Sequence, residues 1–257
     1  MKTITERVNF NHDSIKGNEK TRSEVSVRYV GSLKKDSEVF VRWIRDSLVK
    51  SMPRHEVNNY FDVKGDEILK SSFLSVASRE DQCVGVIALS KKNIRECTIL
   101  YVETILMAES FHRSGLAAKL INSVFQGVYN TGEDFPDCIA MKTYNPITYV
   151  MMKRFSRSEC AFYPLISQKN SDENILLAKK ISSLVAFDCQ LDESRGIVYG
   201  GGGSVSNNFW QDPPKSGDYV VDNFFQNQMT ASDRVLCFIN INHEEDKKYV
   251  MSRLGIK

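Results

Sequence analysis

The chain has 257 residues, with 34 Lys and Arg against 32 Asp and Glu, a formal net charge of +2, and a composition 42% hydrophobic and 26% charged. That length is well above the size at which a core needs disulfides or a metal, and the balance of apolar and charged residues excludes a disordered or fibrous chain. So small a net charge offers no long-range field for nucleic acid or anionic lipid, and no run approaches the roughly 18 consecutive apolar residues of a membrane span; neither partner is expected.

Six cysteines (Cys83, Cys97, Cys138, Cys160, Cys189, Cys237) stand singly in the sequence, with no CxxC pair or metal-ligand spacing. They read as small buried hydrophobes in a reducing compartment. With a polar N-terminus that carries no apolar signal core, the expected location is cytoplasmic. His12, His55 and His243 are isolated in the sequence, so no metal is expected.

Residues 1–22 are rich in Lys, Asn, Glu and Thr and form a polar leader, loose or bound at a sheet edge. Residues 24–30 alternate as a first strand. From Ser37, the residues Phe40, Trp43, Ile44, Leu48 and Met52 recur at helical steps until Pro53 closes the run. Residues 55–69 are a weaker helix and 71–78 a strand. The β-branched runs 83–89 and 97–107 predict a hairpin. A helix from about Gly115 presents Leu116, Leu120, Ile121, Val124 and Phe125, and a strand at 137–143 returns parallel to the hairpin's second strand. Asn145-Pro146 opens a second helix, where proline costs nothing in the first turn. Further on, 159–165 predicts a strand, 171–184 a helix capped near Ser171 or Asp172, and 187–199 a strand-and-turn segment. The four glycines at 200–203, followed by 204–208 and Pro213-Pro214, read as a flexible loop, since no strand-to-helix unit surrounds them. A helix at 218–229 and an apolar strand at 234–240 follow. There is no internal repeat.

Residues 103–120, ETILMAESFHRSGLAAKL, concentrate the chemistry. A strand ends, a short loop runs through His112-Arg113-Ser114-Gly115-Leu116-Ala117, and a helix begins inside it. Such a turn gathers unpaired amides and the positive end of a helix, a suitable seat for a pyrophosphate, and Gly115 and Ala117 leave the backbone approachable. The alternative is a tight turn with no ligand.

This loop resembles motif A of the GNAT superfamily of N-acyltransferases, Arg/Gln-x-x-Gly-x-Gly/Ala, with His112 where Arg or Gln is usual. Residues 145–155, beginning at Asn145-Pro146, resemble motif B, whose Asn opens a helix beside the coenzyme A arm. The resemblance covers 23–165. It implies an α/β fold with a GNAT-like mixed, mostly antiparallel central sheet flanked by helices. An insertion would then precede the last strand, and 166–257 would be an extension packed on the core that supplies that strand.

The function so implied is acyl-CoA-dependent N-acyl transfer, with acetyl-CoA or another acyl-CoA as co-substrate and an amine of unknown size attacking the thioester directly. Leu106, His112, Arg113, Ser114, Gly115, Leu116, Ala117 and Asn145 would bind the coenzyme A, with Arg113 on phosphate and His112 either on phosphate or exposed. Glu103, mid-strand on the face expected for Tyr101 and Ile105, would be the base or polarise a water; its alternative is a strand-edge carboxylate. The acid often found seven residues after the motif B Asn is Met152 here, and Tyr149, one turn earlier, is either its substitute or an aromatic packed on the sheet. Two other functions compete: a GNAT-fold module without catalysis that binds acyl-CoA or a partner, supported by His112 and Met152, and a synthase fed by an acyl carrier protein.

Overall fold

A computed structural model describes residues 5–8, 24–33, 37–95, 97–203 and 209–256. His12 and the polar stretch 204–208 lie outside the described residues, as does most of the leader. Thr5–Val8 is a strand, β1, paired antiparallel with β2, Val25–Tyr29. Helices α1 (Glu38–Ser51) and α2 (Val57–Leu69) follow, then strands β3 (Phe73–Arg79), β4 (Gln82–Ile94) and β5 (Cys97–Met107). Next come α3 (Leu116–Asn130), β6 (Cys138–Thr143), α4 (Pro146–Lys153) and the short β7 (Phe162–Tyr163). The remainder forms α5 (Asp172–Val185), a small hairpin of β8 (Leu191–Asp192) and β9 (Ile197–Val198), α6 (Tyr219–Asn227), β10 (Arg234–Asn240) and α7 (Glu244–Arg253).

The strands form one sheet in the order β1-β2-β3-β4-β5-β6-β10-β9-β8, with β7 also on β10. Every pairing is antiparallel except β5 with β6. The fold is thus a mixed, mostly antiparallel sheet in which the chain after β7 inserts α5, β8, β9 and α6 before returning as β10 beside β6. That central position explains the apolar run in β10: Val235, Leu236, Cys237, Phe238 and Ile239 are all at most 1% exposed. A strand covered on both faces cannot alternate.

One face carries α3, α4, α6 and α7, through Leu120, Val124, Tyr149, Phe224 and Val250 among others. The opposite face carries two separate clusters. Ile44, Leu48, Phe61 and Ile68 of α1 and α2 cover β3 and β4, while Ala178 and Ile181 of α5 cover β6 and β10. Between those two clusters the middle of the sheet is left open. Helix α7 escaped the sequence analysis because its ten residues EEDKKYVMSR bury only Asp246 and Val250, the former as an ion pair with Arg157 at 2.8 Å. Of the six cysteines, Cys83, Cys138 and Cys237 are buried as expected, but Cys160 is exposed.

Candidate active site

Strands β5 and β6 run in register from Ile99 opposite Cys138 to Val102 opposite Met141, and there their pairing stops. Each continues with its other neighbour: β5 stays on β4 as far as Met107, and β6 stays on β10 as far as Thr143. A wedge therefore opens in the middle of the sheet. Its local cause is a bulge: Leu89 faces Val102 and Ala88 faces Thr104, so Glu103 has no partner on β4. An extra residue on one strand bends it and increases its twist.

The bulge also re-aims side chains. Glu103 shares the open face with Tyr101, but Ile105 has moved to the α3 face with Val102, so the expected common face of Tyr101, Glu103 and Ile105 is not kept. Thr104 and Leu106 now follow Glu103 on the α1–α2 side, where Thr104 and the Tyr60 hydroxyl share a hydrogen bond. Sequence alternation cannot anticipate this, because an unpaired residue shifts the period by one.

A cavity of about 720 Å³ lies on one side of the wedge, lined by Leu106, His112, Arg113, Gly115, Ala117 and Asn145 among others. Gly115 caps α3 with φ of +83° and Arg113 precedes it at +64°. A Cβ added at Gly115 would meet nothing within 4 Å. The left-handed backbone favours glycine there, and open space lies in front of it. The amides of Arg113, Gly115, Ala117 and Ala118 have no acceptor among the described residues. Ser114 and Leu116 do not line the cavity. The Ser114 hydroxyl donates to the Phe111 carbonyl at 2.6 Å and accepts from the Leu116 amide at 3.3 Å, and the Leu116 side chain is fully buried. Asn145 accepts the Ile147 amide at its Oδ1, 2.9 Å, as the cap of α4.

A second cavity, of about 150 Å³, lies on the open face between α2 and α5 and includes Tyr60, Glu67, Tyr101, Glu103, Lys142 and Arg234 in its wall. The two cavities share Ile105, Leu106, Asn145, Thr148, Phe209 and Trp210, so they meet at the wedge. Glu103 is only 9% exposed at its side chain and pairs with Lys92 at 3.2 Å; Glu67 pairs with Lys64 at 2.6 Å. Burial raises the Tyr60 and Tyr101 hydroxyls well above the usual phenol value, so both remain protonated donors at neutral pH.

Tyr149 does not reach either cavity. It is 1% exposed, its hydroxyl donates to the Pro164 carbonyl at 2.6 Å, and its ring packs edge-on against Phe162 and Phe225. Its helix turns that side chain onto the α3 face of the sheet, so the packed aromatic is the arrangement found. Met152 is likewise buried. His55 proves not to be isolated: its Nδ1 lies 2.9 Å from Glu109, whose other oxygen accepts the Arg54 guanidinium at 2.9 Å, and its ring is 6.1 Å from that of His112. Burial lowers the His55 imidazole below its usual value, outweighing the hydrogen bond and charge of Glu109. A neutral imidazole donating Nδ1–H to Glu109 is therefore held at the rim of the larger cavity. No local motif marks His55, Tyr60, Lys142, Trp210 or Arg234, which come together only through the fold.

The order of elements from β2 to β7, with β6 parallel to β5 and a glycine-capped α3 between them, follows the order expected from the two motifs. The core is a mixed, mostly antiparallel α/β sheet flanked by helices. No family model matches the sequence, and no curated protein matches it. Solved structures similar to the chain include an aminoglycoside N-acetyltransferase, AAC(6')-Iy, in complex with CoA, at 20% identity over 51% of this chain and 84% of that one, with a TM-score of 0.35. A putative acetyltransferase of the GNAT family from Desulfovibrio desulfuricans matches at 19% identity over 51% and 85%, with a TM-score of 0.38. An aminoglycoside 6'-acetyltransferase type Ii matches at 15% identity over 53% and 86%, with a TM-score of 0.40. Among the described residues no helix is long and apolar enough to cross a membrane, and no group of three or more His, Cys, Asp or Glu is placed to hold a metal ion.

Proposed function

We propose that the chain is an acyl-CoA-dependent N-acyltransferase, acetyl-CoA being the simplest donor, that joins an acyl group delivered through the larger cavity to an amine held in the smaller one. The observation that carries this is the meeting of two chemically different cavities at the wedge between β5 and β6. The larger offers unpaired amides at the N-terminus of a 15-residue helix, open space before Gly115 and an exposed arginine at 113, a set that fits a pyrophosphate. The smaller offers a carboxylate and hydroxyl donors.

The chemistry then follows from groups at the junction. The acceptor amine attacks the thioester carbonyl carbon, a C–N bond forms as the C–S bond breaks, and the sulfur leaves as a thiolate, which needs little help because a thiol pKa is near 8.5. Glu103, directly or through a water, takes the proton that the attacking ammonium must lose. Beyond Val102 the β6-facing edge of β5 has no partner strand, so its peptide groups are available to the polarised carbonyl oxygen. Arg113 and the amides of Gly115, Ala117 and Ala118 bind phosphate, and Leu106 and Asn145 flank the arm. The test is release of coenzyme A thiol when acetyl-CoA meets the purified protein and a panel of amines. Turnover with at least one amine is expected; tight acetyl-CoA binding without turnover on any amine would favour the non-catalytic module.

A further inference from the structure

The walls of the smaller cavity carry charges of both signs, but they are not equally free. Its carboxylates already have cations: Glu103 has Lys92 and Glu67 has Lys64. Lys142 and Arg234 have no carboxylate partner among the described residues. The Lys142 ammonium donates to the Val185 and Gly201 carbonyls at 3.0 and 3.1 Å. Arg234 uses Nη1, on the carbonyls of Ala231 and Asp233 at 2.9 and 2.6 Å, and among the described residues Nε and Nη2 have no acceptor. The neighbouring Asp233 carboxylate is consumed elsewhere, by Gly200 and Thr230.

Register places both cations on the open face. Val235 faces Thr143 and Leu236 faces Lys142, so Arg234 and Lys142 lie diagonally on the same side of adjacent strands, the side that Leu236 shares with Tyr101. The Tyr144 ring lies 5.5 Å from the guanidinium carbon and flanks it. Gly202 closes over the same group: a Cβ there would fall 2.6 Å from the guanidinium carbon, so the loop passes as close as a backbone without a side chain allows. Burial lowers both groups from their usual values; repulsion from Lys64 and, less, Arg234 adds to the effect on Lys142 while Glu67 opposes it, and Asp233 opposes the effect on Arg234. A half-buried cation pair with no ion-paired carboxylate among the described residues costs free energy that an anion in the cavity would offset.

We infer that the acceptor is a small amine that also carries a carboxylate, an amino-acid-like molecule whose anionic end is held by Arg234 and Lys142 while its amine faces Glu103. This presupposes the acyl transfer proposed above. A planar guanidinium with two free donors suits a carboxylate, and the ammonium of Lys142 adds charge without directionality. Glu103 and the cation pair stand on opposite sides of the wedge, on β5 and on β6 with β10. An aminocarboxylate would so be drawn to the cavity by one end and oriented by the other. A polyamine would meet two positive charges that have no ion-paired carboxylate.

The test pairs binding with turnover. Calorimetric titration of the full chain with a panel of α- and ω-amino acids, each beside its carboxamide and beside a diamine, requires no acyl donor. At least one amino acid is expected to bind, with its carboxamide weaker by roughly 10- to 100-fold, the range for losing one or two charge-assisted hydrogen bonds. Arg234→Gln should erase that difference, Arg234→Lys should restore part of it, and acetyl-CoA affinity should be unchanged in both. Thiol release should follow the same order, as a rise in KM for the amino acid with kcat less affected. Equal binding of acid, amide and diamine, or a preference that survives Arg234→Gln and Lys142→Met alike, overturns the inference and leaves acyl transfer standing. Amino acids that bind through Arg234 in a protein that never binds acetyl-CoA would support the anion site and sink the transferase.

Discussion

The two cavities that meet at the wedge are built in different ways. One end of the larger is drawn from one continuous segment, 112–118, where backbone amides and a left-handed glycine face open space. The smaller is assembled from α2, β5, β6, the turn at Gly201 and Gly202, and β10, residues separated by up to 174 positions between Tyr60 and Arg234. A donor common to many reactions can be served by a short backbone device. A particular acceptor needs side chains brought from across the chain, and here the region after β7 adds Gly201, Gly202, Phe209, Trp210 and Arg234 to the wall.

Removing that region should break the comparison most severely. A chain ended after Leu184 keeps both motif segments but loses β10, the strand paired with β6, β7 and β9. Its five fully buried apolar side chains are worth about 1.5–3 kcal/mol each, as much as the whole net stability of many domains. The fragment should be insoluble or lack a cooperative melting transition. A soluble fragment that melts sharply and binds acetyl-CoA would show that the continuous segment is self-sufficient.

Glu103→Gln tests the acceptor side alone. Turnover should fall roughly 10²- to 10⁴-fold with acetyl-CoA affinity unchanged, and part of the loss should return at high pH, where more of the amine is already neutral. A rate within a few-fold at pH 7 would make Glu103 a structural partner of Lys92. Tyr149→Phe is the matching control on the other face. It leaves the buried Pro164 carbonyl without its donor and should cost about 1–3 kcal/mol of stability while kcat stays within about twofold. A hundredfold drop in kcat at unchanged melting temperature would restore Tyr149 as the acid.

The smallest effect concerns the rim. Because burial holds the His55 imidazole below its unfolded value of about 6.5, the unfolded chain binds the extra proton first. Stability is therefore complete above about pH 6.5 and falls as pH drops through the lowered value. His55→Gln should flatten the melting-temperature profile in that acid window and leave it unchanged at pH 8. A variant profile parallel to the original would contradict the assignment of a neutral His55.

The same contrast explains what could be read from the sequence. The hairpin, α3 and the Asn-Pro opening of α4 all have local causes: β-branched runs, a 3.6-residue stripe from Leu116 to Val128, and proline in a first turn. Gly115 was visible because a strand-to-helix turn needs it. Glu103 was visible as a carboxylate in an apolar strand, but its bulge was not, since that depends on register with β4. Tyr149 stayed open between acid and packed aromatic because helix spacing alone does not say which way a turn faces. His55 and Arg234 carry no local signal at all; their partners Glu109, Phe209 and Tyr144 come from distant segments.

The central claim is that acyl-CoA occupies the larger cavity with its pyrophosphate on the glycine-capped start of α3. The most direct measurement is the melting temperature of the full chain with and without acetyl-CoA, for the original sequence, Gly115→Asn and Gly115→Asp. At about 100 times the dissociation constant, binding adds about 2.7 kcal/mol, a rise of roughly 5–10 °C for a chain of this size. Asparagine tolerates the left-handed backbone and should keep most of that rise, whereas aspartate places a negative charge against the pyrophosphate and should eliminate it. No rise with the original sequence for acetyl-CoA or longer acyl-CoA, or an equal rise in all three proteins, would contradict the claim.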